Sequence, residues 1–157
     1  MSLERAKEHL KKWNKDRQVK ALDVSSATVE LAAKALGIEE ARIAKTLALM
    51  VDENAILVVT AGDTKIDNKK YRHLFGAKAR MIDKDLVEQY IGHDIGGVCP
   101  FGINENVRVY LDVSLKRFAT VYPACGSSNS AIEMTCRELE EIGGAEKWID
   151  VCKTEGA

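Results

Sequence analysis

Apolar positions recur along the chain with two different periods, and each period predicts its own set of elements. Leu3, Ala6, Leu10 and Trp13 follow one another at three- and four-residue intervals, which predicts an amphipathic helix from Ser2 to about Asp16 with Ser2 as its N-cap. Val19 to Val24 is short and β-prone, and Ser25-Ser26 then opens a second helix that runs through Leu36 and ends at Gly37. A brief helical turn is expected over Glu39 to Ile43. The runs TLALMV and AILVVTA flank Asp52-Glu53-Asn54, a pattern that predicts a β-hairpin with both strands buried on two faces. Further along, the pattern predicts a helix over Asp67 to Phe75 closed by Gly76, a short strand over Ala79 to Ile82, and a helix over Lys84 to Ile91 capped by Asp83 and ended by Gly92. Short strands are expected near Val107 to Asp112, Phe118 to Tyr122 and Ala131 to Met134. Thr135 and Glu138 have capping-box spacing for a last helix through Ile142, stopped by Gly143-Gly144. Strands with irregularly interspersed helices predict a mixed α/β fold, a small β-barrel or curved sheet of about six to seven strands flanked by helices.

Composition narrows this picture. A chain of 157 residues, 46% hydrophobic, suits one domain with one substantial core. No apolar run reaches the ~18 to 20 residues that span a bilayer, and the charged N-terminal helix lacks a signal peptide's apolar centre, so a cytoplasmic protein without membrane contact is expected. The four cysteines, at 99, 125, 136 and 152, show neither CxxC pairs nor zinc-ligand spacing with the three histidines, which predicts reduced thiols, no metal and no cofactor. A net charge of −1 argues against coating nucleic acid by bulk charge but leaves room for a local basic face.

Candidate chemistry concentrates where polar groups or glycines interrupt the pattern. Ile95 to Ile103 reads IGGVCPFGI, with three glycines and a proline, and is too broken for a strand or helix. It is either a plain connection or a shaped loop whose amides, at Gly96, Gly97, Val98 and Cys99, face a carbonyl or phosphate. Lys45 stands at the mouth of a buried-looking strand, as a gatekeeper charge or a functional ammonium. Lys65, Lys69, Lys70, Arg72, Lys78 and Arg80 face a single acid, Asp67, in a segment that is either a solvated helix face or a track for a phosphate backbone. Tyr71 and Phe75 within it have helical spacing and read as core. Cys99 is a nucleophile only if a base lowers its pKa, and no motif links it to His9, His73 or His93. Asp63 and Asp67 fit turns and caps better than a carboxylate pair, and Gly126-Ser127-Ser128-Asn129 reads as a turn.

Together, Lys45-Thr46-Leu47, AGDTKIDNKKYR at 61–72, IGGVCPFG at 95–102, VYLD at 109–112 and ACGSSNSAIEM at 124–134 resemble the YbaK/ProX/EbsC family of aminoacyl-tRNA editing domains, ProX-like deacylases above all. The resemblance runs from about Val24 to Ile142 and implies a mixed β-barrel flanked by helices. It implies hydrolysis of the ester joining a wrong small amino acid to tRNA, most often tRNA for proline. The partners implied are aminoacyl-tRNA and, as a second candidate, an aminoacyl-tRNA synthetase.

Carried over residue by residue, the family's lysine falls on Lys45 and its GxxxP loop on Gly96, Gly97, Val98, Cys99 and Pro100. Phe101, Gly102, Asp63, Lys70, Gly126, Ser127, Ser128 and Asn129 are the implied substrate-binding positions. The resemblance also implies a small residue at 99 and a polar one at 103, where this chain has cysteine and isoleucine. Two rival readings are a non-catalytic tRNA- or synthetase-binding module of the same fold and a cysteine hydrolase using Cys99.

Overall fold

The computed structural model describes residues 2–22 and 28–155. In chain order its elements are α1 (Ser2–Lys11), β1 (Lys20–Ala21), α2 (Val29–Leu36), β2 (Ile43–Val51), β3 (Asn54–Ala61), β4 (Thr64–Ile66), α3 (Asn68–Phe75), α4 (Val87–Ile91), β5 (Arg108–Asp112), β6 (Thr120–Pro123), β7 (Ser130–Ala131), β8 (Met134–Thr135), α5 (Cys136–Ile142), β9 (Ala145–Ile149) and β10 (Cys152–Thr154). Six strands form one mixed sheet in the order β8-β6-β2-β3-β5-β9, and two short ribbons, β1–β7 and β4–β10, stand apart from it. The sheet curls into a half-barrel with the helices around it, so the mixed α/β expectation holds. No helix among the described residues is long and apolar enough to cross a membrane.

The hairpin is the centre of the sheet. β2 and β3 pair antiparallel from Ala44↔Ala61 to Val51↔Asn54, with Asp52 in the left-handed region at φ 56° to make the tight reversal. On β3, Leu57, Val59 and Ala61 join the larger core while Ile56 and Val58 join the core on the opposite face, so this strand is buried on both sides as its pattern predicts. Its partner is not. Lys45, Thr46 and Leu47 are only half-buried, because β6 pairs with β2 at Ile43 and Ala44 alone and leaves the rest of that edge open.

Several boundaries differ from expectation. α1 stops at Lys11, Asn14 turns left-handed at φ 59°, and a separate 3-10 turn occupies Asp16–Gln18. Ser2 is the first helical residue and its hydroxyl accepts the Asp94 amide, 3.2 Å away. Ser25 and Ser26 lie outside the described residues; Thr28 caps α2 through a bond from the Leu31 amide. The expected strand at Ala79 to Ile82 reduces to one bridge, Leu49↔Met81, since this segment crosses the open edge of β2 for a single rung. Lys84–Leu86 is a 3-10 turn ahead of α4, and the Asp83 side chain makes no cap bond. Ala131 to Met134 splits into β7 and β8, which pair with different strands, β1 and β6. Asp67 caps α3 by accepting the Lys69 and Lys70 amides, and the Thr135–Glu138 capping box is complete.

Candidate functional site

Where β6 leaves β2, the gap is walled by other elements. A cavity of about 410 Å³ opens there between β2, α2, the segment before α4, the glycine loop and the chain between β6 and β7. Its floor is Ala44, Thr46 and Ala48 from β2, and its walls include Val29, Ala32, Ile82, Val87, Ala124 and Ala131. Lys45, Gly96 and Val98 also line it. Small side chains on the strand face make the room, and branched ones on the walls keep it apolar. One polar group interrupts this surface: the Thr46 hydroxyl is buried and has no hydrogen-bond partner. A buried hydroxyl normally has one, so this atom is available to a guest.

Lys45 sits on β2 across from Thr60, a buried polar residue of β3. Its ammonium donates to the Thr64 carbonyl and lies 3.8 Å from a carboxylate oxygen of Glu155. The side chain is 22% exposed, so the charge is placed at a rim and not sealed in the core.

The glycine loop is only partly turned toward the cavity. The Gly97 amide donates to the Asp94 carbonyl at 3.0 Å and is thereby consumed in a turn, whereas Gly96 and Val98 are the loop residues at the cavity surface. Cys99 and Phe101 point away from it and are fully buried. The Cys99 thiol lies 3.5 Å from His93 Nε2 and 3.7 Å from the Phe101 carbonyl. That histidine cannot serve as its base through Nε2, because Nε2–H donates to the Phe101 carbonyl at 2.6 Å, and burial holds His93 below its ordinary pKa. Burial also pushes the Cys99 thiol up to about 12. A buried thiol of that kind is no nucleophile, and the cysteine-hydrolase reading loses its residue.

Comparison with known proteins gives the family. Residues 23–142 match the family model described as aminoacyl-tRNA editing domain. The chain belongs to this family. It is 54% identical over 154 residues, 98% of both chains, to the uncharacterized protein YwhH of Bacillus subtilis (strain 168). It is 28% identical over 104 residues to the proline--tRNA ligase of Halalkalibacterium halodurans, covering 66% of this chain but only 18% of the ligase. A crystal structure of a protein proposed to be a trans-editing enzyme for prolyl tRNA synthetase superposes with a TM-score of 0.86 at 30% identity, covering 99% of this chain and 98% of that one.

Within this editing domain the other positions singled out by sequence are scattered. Asp63 forms a two-pronged ion pair with Arg117, at 2.6 and 3.1 Å, and the hydrogen bonds from that guanidinium hold its carboxyl below the usual range. Lys70 is engaged by Asp150 at 3.0 Å and by the Cys152 carbonyl at 3.1 Å, in a separate concavity between α3 and β9. Ser127 bonds Asn129 and Ser130, while the Asn129 carbonyl accepts the Leu22 amide, so this turn ties β7 to β1. Ser128 is likewise partnered. Pro100 abuts Gly143, and Gly102 lies against the Arg5 backbone of α1. Thr46, Ala124 and Ser130 at the cavity were not singled out as site residues. For Thr46 a signal existed, a hydroxyl next to Lys45 on the core face of an otherwise apolar strand. Among the described residues no cluster of His, Cys, Asp and Glu is placed to hold a metal ion.

Proposed function

We propose that this editing domain is a cytoplasmic, trans-editing aminoacyl-tRNA deacylase that hydrolyses the ester of a small amino acid mischarged onto tRNA, with tRNA for proline the first candidate. The observation that carries the reading is one cavity that joins Lys45, the unpartnered Thr46 hydroxyl and the Gly96–Val98 face of the glycine loop. An aminoacyl ester is already activated, so positioning and charge stabilisation suffice for its hydrolysis. The amino-acid side chain enters among Val29, Ala32, Ala124 and Ala131, beside the Ala44–Ala48 floor. Lys45 holds a phosphate or ribose oxygen of the 3′ nucleotide at the rim. Thr46 bonds the amino group or the ester. Amides of Gly96 and Val98 receive the oxyanion as water attacks the carbonyl carbon.

The attacking water is oriented by the substrate's own neighbouring ribose hydroxyl and by backbone carbonyls. It gives its oxygen to the acyl carbon, the C–O bond to the ribose breaks, and the departing oxygen takes a proton. The products are a free amino acid and tRNA with an intact 3′ end. The test is a panel of mischarged tRNAs, including alanyl-, seryl- and cysteinyl-tRNA for proline, in single-turnover deacylation. Hydrolysis of at least one far above the uncatalysed rate supports the proposal. Tight tRNA binding without hydrolysis of any would instead make the domain a binding module.

A further inference from the structure

We infer that the β4–β10 ribbon carries a phosphate-binding site for single-stranded RNA, formed by Lys65 and Lys153. The two strands pair antiparallel with Lys65 directly opposite Lys153, between the pairs Thr64↔Thr154 and Ile66↔Cys152. Thr64 and Cys152 are buried, so alternation puts both lysines together on the outer face, where both are exposed. Opposed residues of an antiparallel pair hold their Cβ atoms about 4.5 to 5.5 Å apart, and like charges in that position repel. Nearby acids relieve the repulsion only in part, Asp67 acting on Lys153 through its charge without an ion pair. Asp67 is spent on the α3 cap, Asp150 on Lys70, Asp63 on Arg117, and Glu155 lies by Lys45. Neither the Lys65 nor the Lys153 side chain has a hydrogen bond or ion pair among the described residues.

A fold that keeps two opposed ammonium groups without an ion pair on so short a ribbon offers a site for an anion. The position says which one. The Thr64 carbonyl, one residue from Lys65, is the acceptor of the Lys45 ammonium at the cavity rim, so a strand whose end enters the cavity passes this ribbon next. The large exposed apolar side chains are Leu31, Leu74, Met81, Leu86, Ile95 and Val113, none of them on the ribbon. A protein partner would want an apolar or aromatic centre there, whereas a phosphate backbone wants charge alone. Lys153 falls outside the 23–142 match to the family model, so the ribbon lies partly beyond that match. The inference rests on the deacylase reading for its choice of RNA.

The experiment measures binding of uncharged tRNA by fluorescence anisotropy across a KCl series, for wild type, Lys65→Gln, Lys153→Gln and the double variant. Deacylation is assayed in parallel, and thermal melts serve as fold control. Each single change is expected to reduce the slope of log K against log salt by ~0.7, and the double by ~1.4, as for two contacts to a single strand. Melting temperatures should not fall, since a repulsion is removed. A folded double variant with the wild-type slope overturns the site, and so does wild type that binds no RNA or binds polyglutamate more tightly than RNA. Wild type that deacylates while the double variant keeps its slope discards the lysine pair alone. A lysine-dependent slope without any hydrolysis keeps the RNA site and discards the deacylase.

Discussion

Gly97 and Gly126 are pressed against each other: a Cβ added to Gly97 would lie 2.5 Å from the Ser127 amide nitrogen and inside contact distance of the Gly126 carbonyl carbon. Both obstacles are backbone, and Gly126 is itself backed by Ser2 of α1, whose carbonyl carbon would be 2.7 Å from a Cβ at Gly126. The glycine loop is thus held in place from beneath by a second turn and by the N-terminal helix. Gly97→Ala should destabilise the domain by about 1 to 3 kcal/mol, the usual cost of forcing atoms into a packed site. Urea unfolding monitored by circular dichroism reads this directly. An unchanged midpoint would mean that the two turns can separate freely.

The Thr46 hydroxyl offers the opposite test, because it has a burial cost and no partner. Thr46→Val keeps the shape and removes that cost, so stability should be unchanged or rise by ~1 kcal/mol. Deacylation should nevertheless fall about tenfold in kcat/KM, the value of one hydrogen bond to substrate. A variant that is more stable and equally active would show that the hydroxyl contacts no substrate.

Much of this architecture was legible because it is local. The β2–β3 hairpin, the Asp67 cap, the Thr135–Glu138 box and the glycines ending α2, α3 and α4 all rest on neighbouring residues. What stayed hidden depends on distant pairing. β9 and β10 are edge or ribbon strands with one buried residue each, so AEKWI and CKT lack a buried alternation, and β4 exists only because β10 returns to it. In the site, Lys45 and the Gly96–Val98 surface could be brought together only through motif resemblance, and the burial of Cys99 could not be read from a thiol flanked by glycines and proline. Asp63 and Lys70 share a stretch with the motif residues, yet their partners, Arg117 and Asp150, lie far along the chain.

Cys99 gives a prediction with a sign that separates packing from chemistry. With its thiol at about 12, no thiolate forms near neutrality, so native protein should resist iodoacetamide at this position. Cys99→Ala should retain ester hydrolysis and lose about 1 kcal/mol of stability from the small void it leaves. Rapid native labelling of Cys99, or a trapped acyl-enzyme, would restore the thiol mechanism.

The Asp63–Arg117 pair predicts a pH dependence of stability. The guanidinium lowers the carboxyl's folded pKa below its unfolded value of about 3.9. The folded state therefore binds fewer protons in that window, and the pair's contribution is full above the unfolded pKa and lost as pH falls through the folded one. Asp63→Asn should be less stable than wild type at pH 7, with the gap closing as pH drops below about 4. Melting temperatures of both proteins between neutral and acid pH measure this. A gap that stays constant with pH would remove the charge from the account.

Lys45 carries the sharpest prediction. By its place at a strand mouth alone, its loss would change stability by no more than the ~0.5 kcal/mol typical of surface positions. The bond from its ammonium to the Thr64 carbonyl raises that expectation, and Lys45→Ala should cost about 0.5 to 1.5 kcal/mol. Catalysis should suffer far more, falling a hundredfold or beyond, since a 3′ end misplaced by ~1 Å no longer meets the Gly96–Val98 surface. Arginine should rescue poorly, because a planar fork replaces a point charge where the Thr64 carbonyl and Glu155 already set the geometry. Glu155→Gln is the informative companion: it removes the competing carboxylate 3.8 Å from the ammonium, so it should leave the fold intact and tighten tRNA binding. Single-turnover deacylation of mischarged tRNA, with melts on the same samples, measures all three variants. Near-wild-type rates for Lys45→Ala would detach the lysine from the reaction and reduce it to a clasp between β2 and β4.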